Sequence, residues 1–178
     1  MLGTRSHDAG AQVVRLTQDD ALRLAFPRPV EIVRRTAFLA DTDLDRARNA
    51  AGPDVQIAQA VVTYYVGYRD GRAVGVAYFD AHRVRSVGEV LMIVVTPAGT
   101  IGRIEVLKFE EPSEYGAGGR WLDQLEGKGL DRALSLKGAI VNMTGATLTS
   151  QAIVRAARRV LALHGVIEPL ESEREEAR

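Results

Sequence analysis

Four hydroxyl side chains crowd one short stretch of the sequence, VNMTGATLTSQAIV, which spans residues 141–154. They belong to Thr144, Thr147, Thr149 and Ser150 and surround a Gly-Ala pair. A helix that begins here presents free backbone N–H groups and the positive end of its dipole, and both favour a phosphate or another anion. Capping a helix needs only one or two hydroxyls. Composition nevertheless leaves open a second interpretation, in which these residues only cap the helix.

Two predicted elements position this turn. The extended segment KGAIVNM, residues 137–143, leads into it, and TLTSQAIVRAARRVLALHG, residues 147–165, has the periodicity of a long helix with Gly165 past its end. Basic residues in the second half of that helix suit the negative end of its dipole. Its predicted apolar face consists of Ile153, Ala157, Val160 and Leu161.

The rest of the chain predicts a sheet between helices. Capped helices are predicted within residues 16–27 and 41–52, with a half-buried strand over residues 30–38 between them. Four β-rich runs follow over residues 60–111, the first two joined by an Asp-Gly turn that is typical of a hairpin. We therefore predict an α+β fold, a single domain with an antiparallel sheet of about four or more strands flanked by helices.

Composition excludes several functional classes. The chain has 178 residues, 46% of them hydrophobic, which is enough for one core. Its 23 Lys and Arg residues balance 23 Asp and Glu residues, so no net field favours nucleic acid. With no cysteine, the chain has neither disulfides nor thiolate ligands, and its three isolated histidines have no metal-ligand spacing. The N-terminus lacks the apolar region of a secretory signal.

The stretch TGATLTS resembles the flavinylation motif of the FMN-binding domain family, which runs Asp, two variable positions, Ser or Thr, Gly, Ala and Thr. Thr144, Gly145 and Ala146 match the middle of the motif, and Thr147 matches the threonine that carries FMN. Val141 stands where the motif has Asp. The resemblance extends, less specifically, to LTQDDALRLAFP near the start and to LKFEEPSEYGAGGRWLDQLEGKGL before the motif, and so covers most of the chain.

The resemblance implies an electron-transfer protein. Members include the flavinylated subunits of the sodium-translocating NADH:quinone oxidoreductase and related electron-transport complexes. A separate magnesium-dependent flavin transferase moves FMN from FAD onto the threonine as a phosphoester, so the expected cofactor is FMN on Thr147 and the expected partners are the transferase and protein redox partners. The resemblance further implies a redox carrier rather than a catalyst, associated with the membrane only indirectly. It also implies a periplasmic or cell-surface site with the export signal absent from this chain, a cytoplasmic site being the alternative.

The resemblance also suggests domain limits. Residues 16–167 are expected to form the FMN-binding domain, preceded by an N-terminal extension over residues 1–15. Residues 168–178 are expected to form a charged C-terminal tail, because this stretch is charged and free of aromatic residues.

Further cofactor contacts are expected around the same turn. Gly145 and Ala146 keep bulk away from Thr147, while the Thr149 and Ser150 hydroxyls either donate to the flavin phosphate or cap the helix. The isoalloxazine ring needs an aromatic or apolar surface. A tryptophan can supply such a surface, although tryptophan is also a common anchor of a hydrophobic core. The candidates for this surface are Met143, Leu148, Tyr115 and Trp121, the last of which lies in a predicted short helix.

Two other sets of acidic or basic residues invite a chemical interpretation. Glu111 and Glu114 are interpreted as solvated carboxylates, with acid–base catalysis as the alternative. His82 is followed by Arg83 and Arg85, and we interpret the three as a surface cluster at a strand end, with phosphate contact or proton donation to reduced flavin as the alternative.

Two other functions remain open on the sequence. A flavin reductase would bind FMN without a covalent bond, in a pocket that encloses the ring. A flavin-free binding module would use the Thr-rich turn only as a helix cap.

Overall fold

The computed structural model of the protein describes residues 16–110 and 116–171. The N-terminal extension, Glu111, Glu114 and Tyr115, and the tail beyond residue 171 lie outside the described residues. The elements are α1 (Gln18–Ala25), β1 (Glu31–Phe38), α2 (Asp41–Ala51), β2 (Val61–Arg69), β3 (Arg72–Val84), β4 (Val87–Val95), β5 (Ile101–Phe109), α3 (Gly119–Leu122), a 3₁₀ turn (Asp123–Leu125) and α4 (Thr147–Ile167).

The strands form one antiparallel sheet in the order β1-β2-β3-β4-β5. The α+β prediction is confirmed, with β1 added to the four-stranded meander as its edge strand. The predicted hairpin is also confirmed, because Asp70 and Gly71 connect β2 to β3 with φ angles of 52° and 75°. Positive φ at both positions matches the right-handed twist of the flanking strands.

The sheet is covered on both faces. The larger core lies between one face and the helices α2 and α4, where Leu91 and Ile93 are buried. A smaller core lies on the other face, where Met92 and Val94 are buried with residues of α1. Alternate residues of β4 therefore enter different cores, which explains its nearly continuous apolar sequence.

The helix α4 is longer than predicted. Its predicted apolar face is buried, as expected, but Gly165 lies inside the helix rather than past its end. The helix continues because Val166 and Ile167 pack against the larger core, and this burial outweighs the low helix propensity of glycine. It ends at Ile167, and the residue that follows, Glu168, has a left-handed φ of 48°.

The predicted cap of α1 is confirmed, since Oγ1 of Thr17 accepts a hydrogen bond from the backbone N–H of Asp20. Among the residues described, no helix combines the length and the apolar content that crossing a membrane requires.

Candidate functional site

The hydroxyl-rich turn lies at the N-terminal end of α4. The N-cap residue is Ala146, which offers no side-chain hydrogen bond to the helix. Thr147 is the first helical residue and is exposed, as is Thr144, whereas Thr149 and Ser150 are buried within the first turn. None of the four hydroxyls is therefore the N-cap of α4, and the interpretation of the turn as a simple cap is wrong.

The buried Ser150 hydroxyl forms two hydrogen bonds to the backbone of the turn. It donates to the carbonyl oxygen of Ala146 at 3.1 Å and accepts from the backbone N–H of Met143 at 3.2 Å. Ser150 is fully buried and Thr149 nearly so, which separates both from a ligand at the surface. The structure therefore gives Ser150 a supporting role within the turn rather than the surface position that phosphate contact needs.

The approach to Thr147 is open. The backbone N–H of Ala146 donates to the carbonyl of Met143 at 3.2 Å and closes a tight turn through Thr144 and Gly145. Gly145 has a φ of 80°, a conformation that other residues rarely adopt, and a Cβ added there would meet nothing within 4 Å. The geometry needs glycine for its backbone angle and leaves free space above it.

The Thr147 hydroxyl has one hydrogen-bond partner among the residues described. The side-chain amide of Asn142 donates to Oγ1 of Thr147 at 3.0 Å. Asn142 is itself exposed and lies in the loop that precedes the turn. The contact between Asn142 and Thr147 is absent from the sequence prediction, because only the folded loop brings these two residues together.

The helix α3 and the 3₁₀ turn that follows it hold the other side of this loop. The indole N–H of Trp121 donates to the carbonyl of Val141 at 2.7 Å, and the side-chain oxygen of Gln124 accepts from the N–H of Val141 at 2.9 Å. Trp121 is half-buried and also packs against the larger core. It is thus both a core anchor and a neighbour of the turn.

Apolar side chains are exposed close to Thr147 in the chain. Val141 is 71% exposed and Leu148 is 43% exposed, while Met143 is half-buried. Within residues 141–150, these are the large apolar side chains that remain at least partly in contact with water.

A cleft of about 610 Å³ lies elsewhere, at the C-terminal end of α2. Its walls include Arg48, Asn49, Gly52 and Gln56, and Thr147 is not among its lining residues. The cleft and the hydroxyl-rich turn are therefore separate features.

A second polar cluster is buried between the sheet and α4. The Arg159 guanidinium binds both carboxylate oxygens of Asp80, at 2.7 and 2.9 Å. His82 lies between two carboxylates, with Nδ1 2.9 Å from Asp80 and Nε2 2.8 Å from Glu89. The interpretation of His82 as part of a surface cluster is wrong, because Asp80 and His82 share the face of β3 that α4 covers and Glu89 is the register partner of His82.

The charges of this cluster stabilise one another. Burial alone would lower the pKa of His82, but its hydrogen bonds to Asp80 and Glu89 outweigh that effect and raise the pKa to about 9. Burial alone would raise the pKa of Asp80, but hydrogen bonds from His82 and Arg159 outweigh it and lower the pKa to about 2. The imidazolium and the carboxylate are thus both charged at neutral pH.

In residues 16–110 and 116–171, no group of three or more His, Asp or Glu side chains suits a metal ion.

Comparison with known proteins identifies one family. The model of the FMN-binding domain matches residues 87–162, which run from β4 through most of α4 and include the turn at Thr147. No curated protein and no solved structure matches the chain. Residues 87–162 therefore belong to the FMN-binding domain family, and the chain is a flavoprotein with FMN as its cofactor.

Proposed function

We propose that the protein is an electron carrier whose FMN is joined through its phosphate to Oγ1 of Thr147. The observation that carries the proposal is the exposed Thr147 hydroxyl at the start of α4, beside the open Gly145 and inside the segment that matches the family. Bound FMN supplies one- and two-electron redox chemistry, and the protein supplies attachment, orientation and the surrounding charge.

The residues of the turn fit a flavin phosphate. The first backbone N–H groups of α4 have no intrahelical partner by geometry, and the side chain of Ala146 does not cap them. They and the helix dipole favour negative charge next to Thr147. The exposed Thr144 hydroxyl is a further donor, and Gly145 places no side chain in the way.

The exposed apolar side chains support a place for the isoalloxazine ring. Leu148 follows the acceptor directly, and Val141 precedes it in the fastened loop. Either side chain offers apolar contact to one face of a flat ring while the rest of the ring stays accessible to a partner protein. An accessible ring suits a carrier, because electrons must pass between proteins.

Attachment requires that Thr147 act as a nucleophile. Its Oγ1 forms a bond to the phosphorus of the FMN half of FAD, the bond between the two phosphates breaks, AMP leaves, and the hydroxyl proton is released. A threonine hydroxyl needs a base or a metal to react in this way. In the described part of the chain, Asn142 alone hydrogen-bonds this hydroxyl, so the base and the Mg²⁺ of the proposed reaction come from a separate flavin transferase.

The remaining partners follow from the resemblance. The proposed carrier exchanges electrons with protein redox partners outside the cytoplasmic membrane, in the periplasm or at the cell surface. Fractionation of producing cells checks this location independently of the chemistry at Thr147.

Two measurements on protein coexpressed with a flavin transferase test the proposed function. After unfolding in denaturant and exhaustive dialysis, we expect the visible flavin absorbance to stay with the protein. Dithionite should then bleach the refolded protein without any added substrate. Flavin lost on dialysis would support a non-covalent reductase instead, and protein that is colourless throughout would support a flavin-free binding module.

A further inference from the structure

We propose that Asn142 is a positioning residue that sets the side-chain rotamer of Thr147 for flavin attachment. The inference rests on the proposed function of Thr147 and adds a residue to it. Its starting observation is the 3.0 Å hydrogen bond that the Asn142 amide donates to Oγ1 of Thr147.

The backbone on both sides of Asn142 is held in place. The N–H of Val141 donates a hydrogen bond to the Gln124 side chain, and its carbonyl accepts one from the Trp121 indole. The N–H of Met143 is fastened by the buried hydroxyl of Ser150. Because both neighbours are anchored, the short Asn142 side chain starts from a fixed position, and little freedom is lost when it reaches Thr147.

A threonine in a helix divides between two χ1 rotamers, which point its hydroxyl in different directions. The Asn142 bond favours the rotamer in which Oγ1 faces the loop, and it occupies one lone pair of that oxygen. The O–H hydrogen remains available to an external base, and a second lone pair remains for the phosphorus. The donated N–H also stabilises the negative charge that develops on Oγ1 as the proton leaves.

Stability alone does not account for this contact. Asn142 and Thr147 are both exposed, so a hydrogen bond between them replaces bonds to water and adds little to the free energy of unfolding. Loss of the contact should therefore change the reactivity of the hydroxyl far more than the stability of the fold.

The rotamer is measurable without flavin. Three-bond NMR couplings from the backbone to Cγ2 of Thr147, recorded on the flavin-free protein, should fit one χ1 rotamer in the wild type and an average of rotamers in Asn142→Ala. The exposed Asn49, on α2, provides the matched control, and Asn49→Ala should leave the Thr147 couplings unchanged. Identical couplings in wild type and Asn142→Ala would overturn the inference.

The consequence for attachment is measured with purified transferase, FAD and Mg²⁺, by intact mass over time. Asn142→Ala should lower kcat about tenfold, the effect of one hydrogen bond to a charged oxygen, with KM for the carrier unchanged. An effect on KM alone would overturn the inference, because it would mean that the transferase merely recognises Asn142.

Failure of flavin attachment at Thr147 and failure of the positioning role of Asn142 give different results. A wild-type protein that is never labelled at Thr147 would contradict the proposed function, whereas the couplings would still report on positioning. A labelled wild type with an equally fast Asn142→Ala variant would leave the proposed function intact and remove only the role of Asn142.

Discussion

The helix α4 carries a polar cluster at each of two points, and the two differ in almost every physical respect. At its first residue, Thr147 is exposed and its hydroxyl has one partner, Asn142, among the residues described. Twelve residues later, or about 18 Å along the helix axis, Arg159 binds both oxygens of the buried Asp80. The Thr147 hydroxyl is neutral and in contact with water, whereas the Asp80 carboxylate is charged and buried.

The difference shows how burial assigns roles to polar residues. A buried charge must be paired, so the Asp80 carboxylate bonds both His82 and Arg159, and its bond to Arg159 joins β3 to α4. An exposed hydroxyl carries no such requirement and keeps bonding capacity for a reaction. Changes at the exposed Thr147 should therefore affect flavin attachment and leave the free energy of unfolding nearly unchanged. Changes in the buried cluster around Asp80 should lower the free energy of unfolding and leave attachment nearly unchanged.

The largest expected effect is complete loss of flavin attachment in Thr147→Ala. The free energy of unfolding should change by less than about 0.5 kcal/mol, because the lost hydroxyl is exposed. Intact mass after coexpression measures attachment, and urea denaturation measures stability. Thr42→Ala, at an exposed position of α2, is the control that should remain flavinylated. A globally unfolded Thr147→Ala protein would show instead that the fold requires the Thr147 hydroxyl.

Arg159→Met should produce the opposite result. It leaves the Asp80 carboxylate buried without its bidentate partner, and we expect a loss of about 3 kcal/mol in the free energy of unfolding. The folded fraction should still accept FMN on Thr147. The matched control is Arg155→Met, one turn earlier, since Arg155 forms no ion pair with another residue in the described ranges. Equal stability of the two variants would contradict the structural role of the buried cluster.

The buried cluster should also make stability depend on pH. The folded pKa of His82 is raised from 6.5 to about 9, so its contribution is complete below pH 6.5, declines above it and is lost as pH rises through about 9. The folded pKa of Asp80 is lowered from 3.8 to about 2, so its contribution is present above pH 3.8 and lost as pH falls through about 2.

Melting temperatures measured across this range should fall on the alkaline side, and His82→Gln should flatten that fall. The proposed attachment of FMN to Thr147 uses no group of His82, so we expect it to show no matching loss when it is measured well below the melting temperature. An alkaline fall that persists unchanged in His82→Gln would assign the pH dependence to other groups.

The smallest expected effect concerns Val141→Asp, which restores the acidic residue of the family motif. At 71% exposure, Val141 is not in the core, so the variant should match the wild-type stability within about 0.5 kcal/mol. The added carboxylate should raise the rate of attachment, because it lies near the hydroxyl that the transferase must reach. Equal rates would show that the position is neutral, and strong destabilisation would contradict its exposure.

Several elements of the fold could be predicted from local sequence, whereas the end of α4 depends on contacts between residues that are distant in the chain. Alternating apolar residues, a capping Thr17 and the Asp-Gly turn indicate strands, helix starts and a hairpin within a few neighbouring positions. The extension of α4 past Gly165 depends instead on packing of Val166 and Ile167 against a distant core, which no local pattern contains.

The two polar clusters differ in the same way. The short motif around Thr147 is contiguous, and its resemblance to a known family indicates FMN. The buried cluster joins Asp80 to Arg159 across 79 positions, and Asn142 reaches Thr147 only through an irregular loop held by Trp121 and Gln124. Asp80 and His82 lie on one face of β3, and no local pattern in the sequence indicates that α4 covers that face.

The central claim is that the exposed hydroxyl of Thr147 carries the cofactor. Its most direct test is peptide mapping by mass spectrometry of protein coexpressed with and without a flavin transferase. We predict that the coexpressed chain gains the mass of one FMN less water, that the gain maps to the peptide containing Thr147, and that it is absent without the transferase. A label on any other residue, or no covalent label at all, would contradict the account.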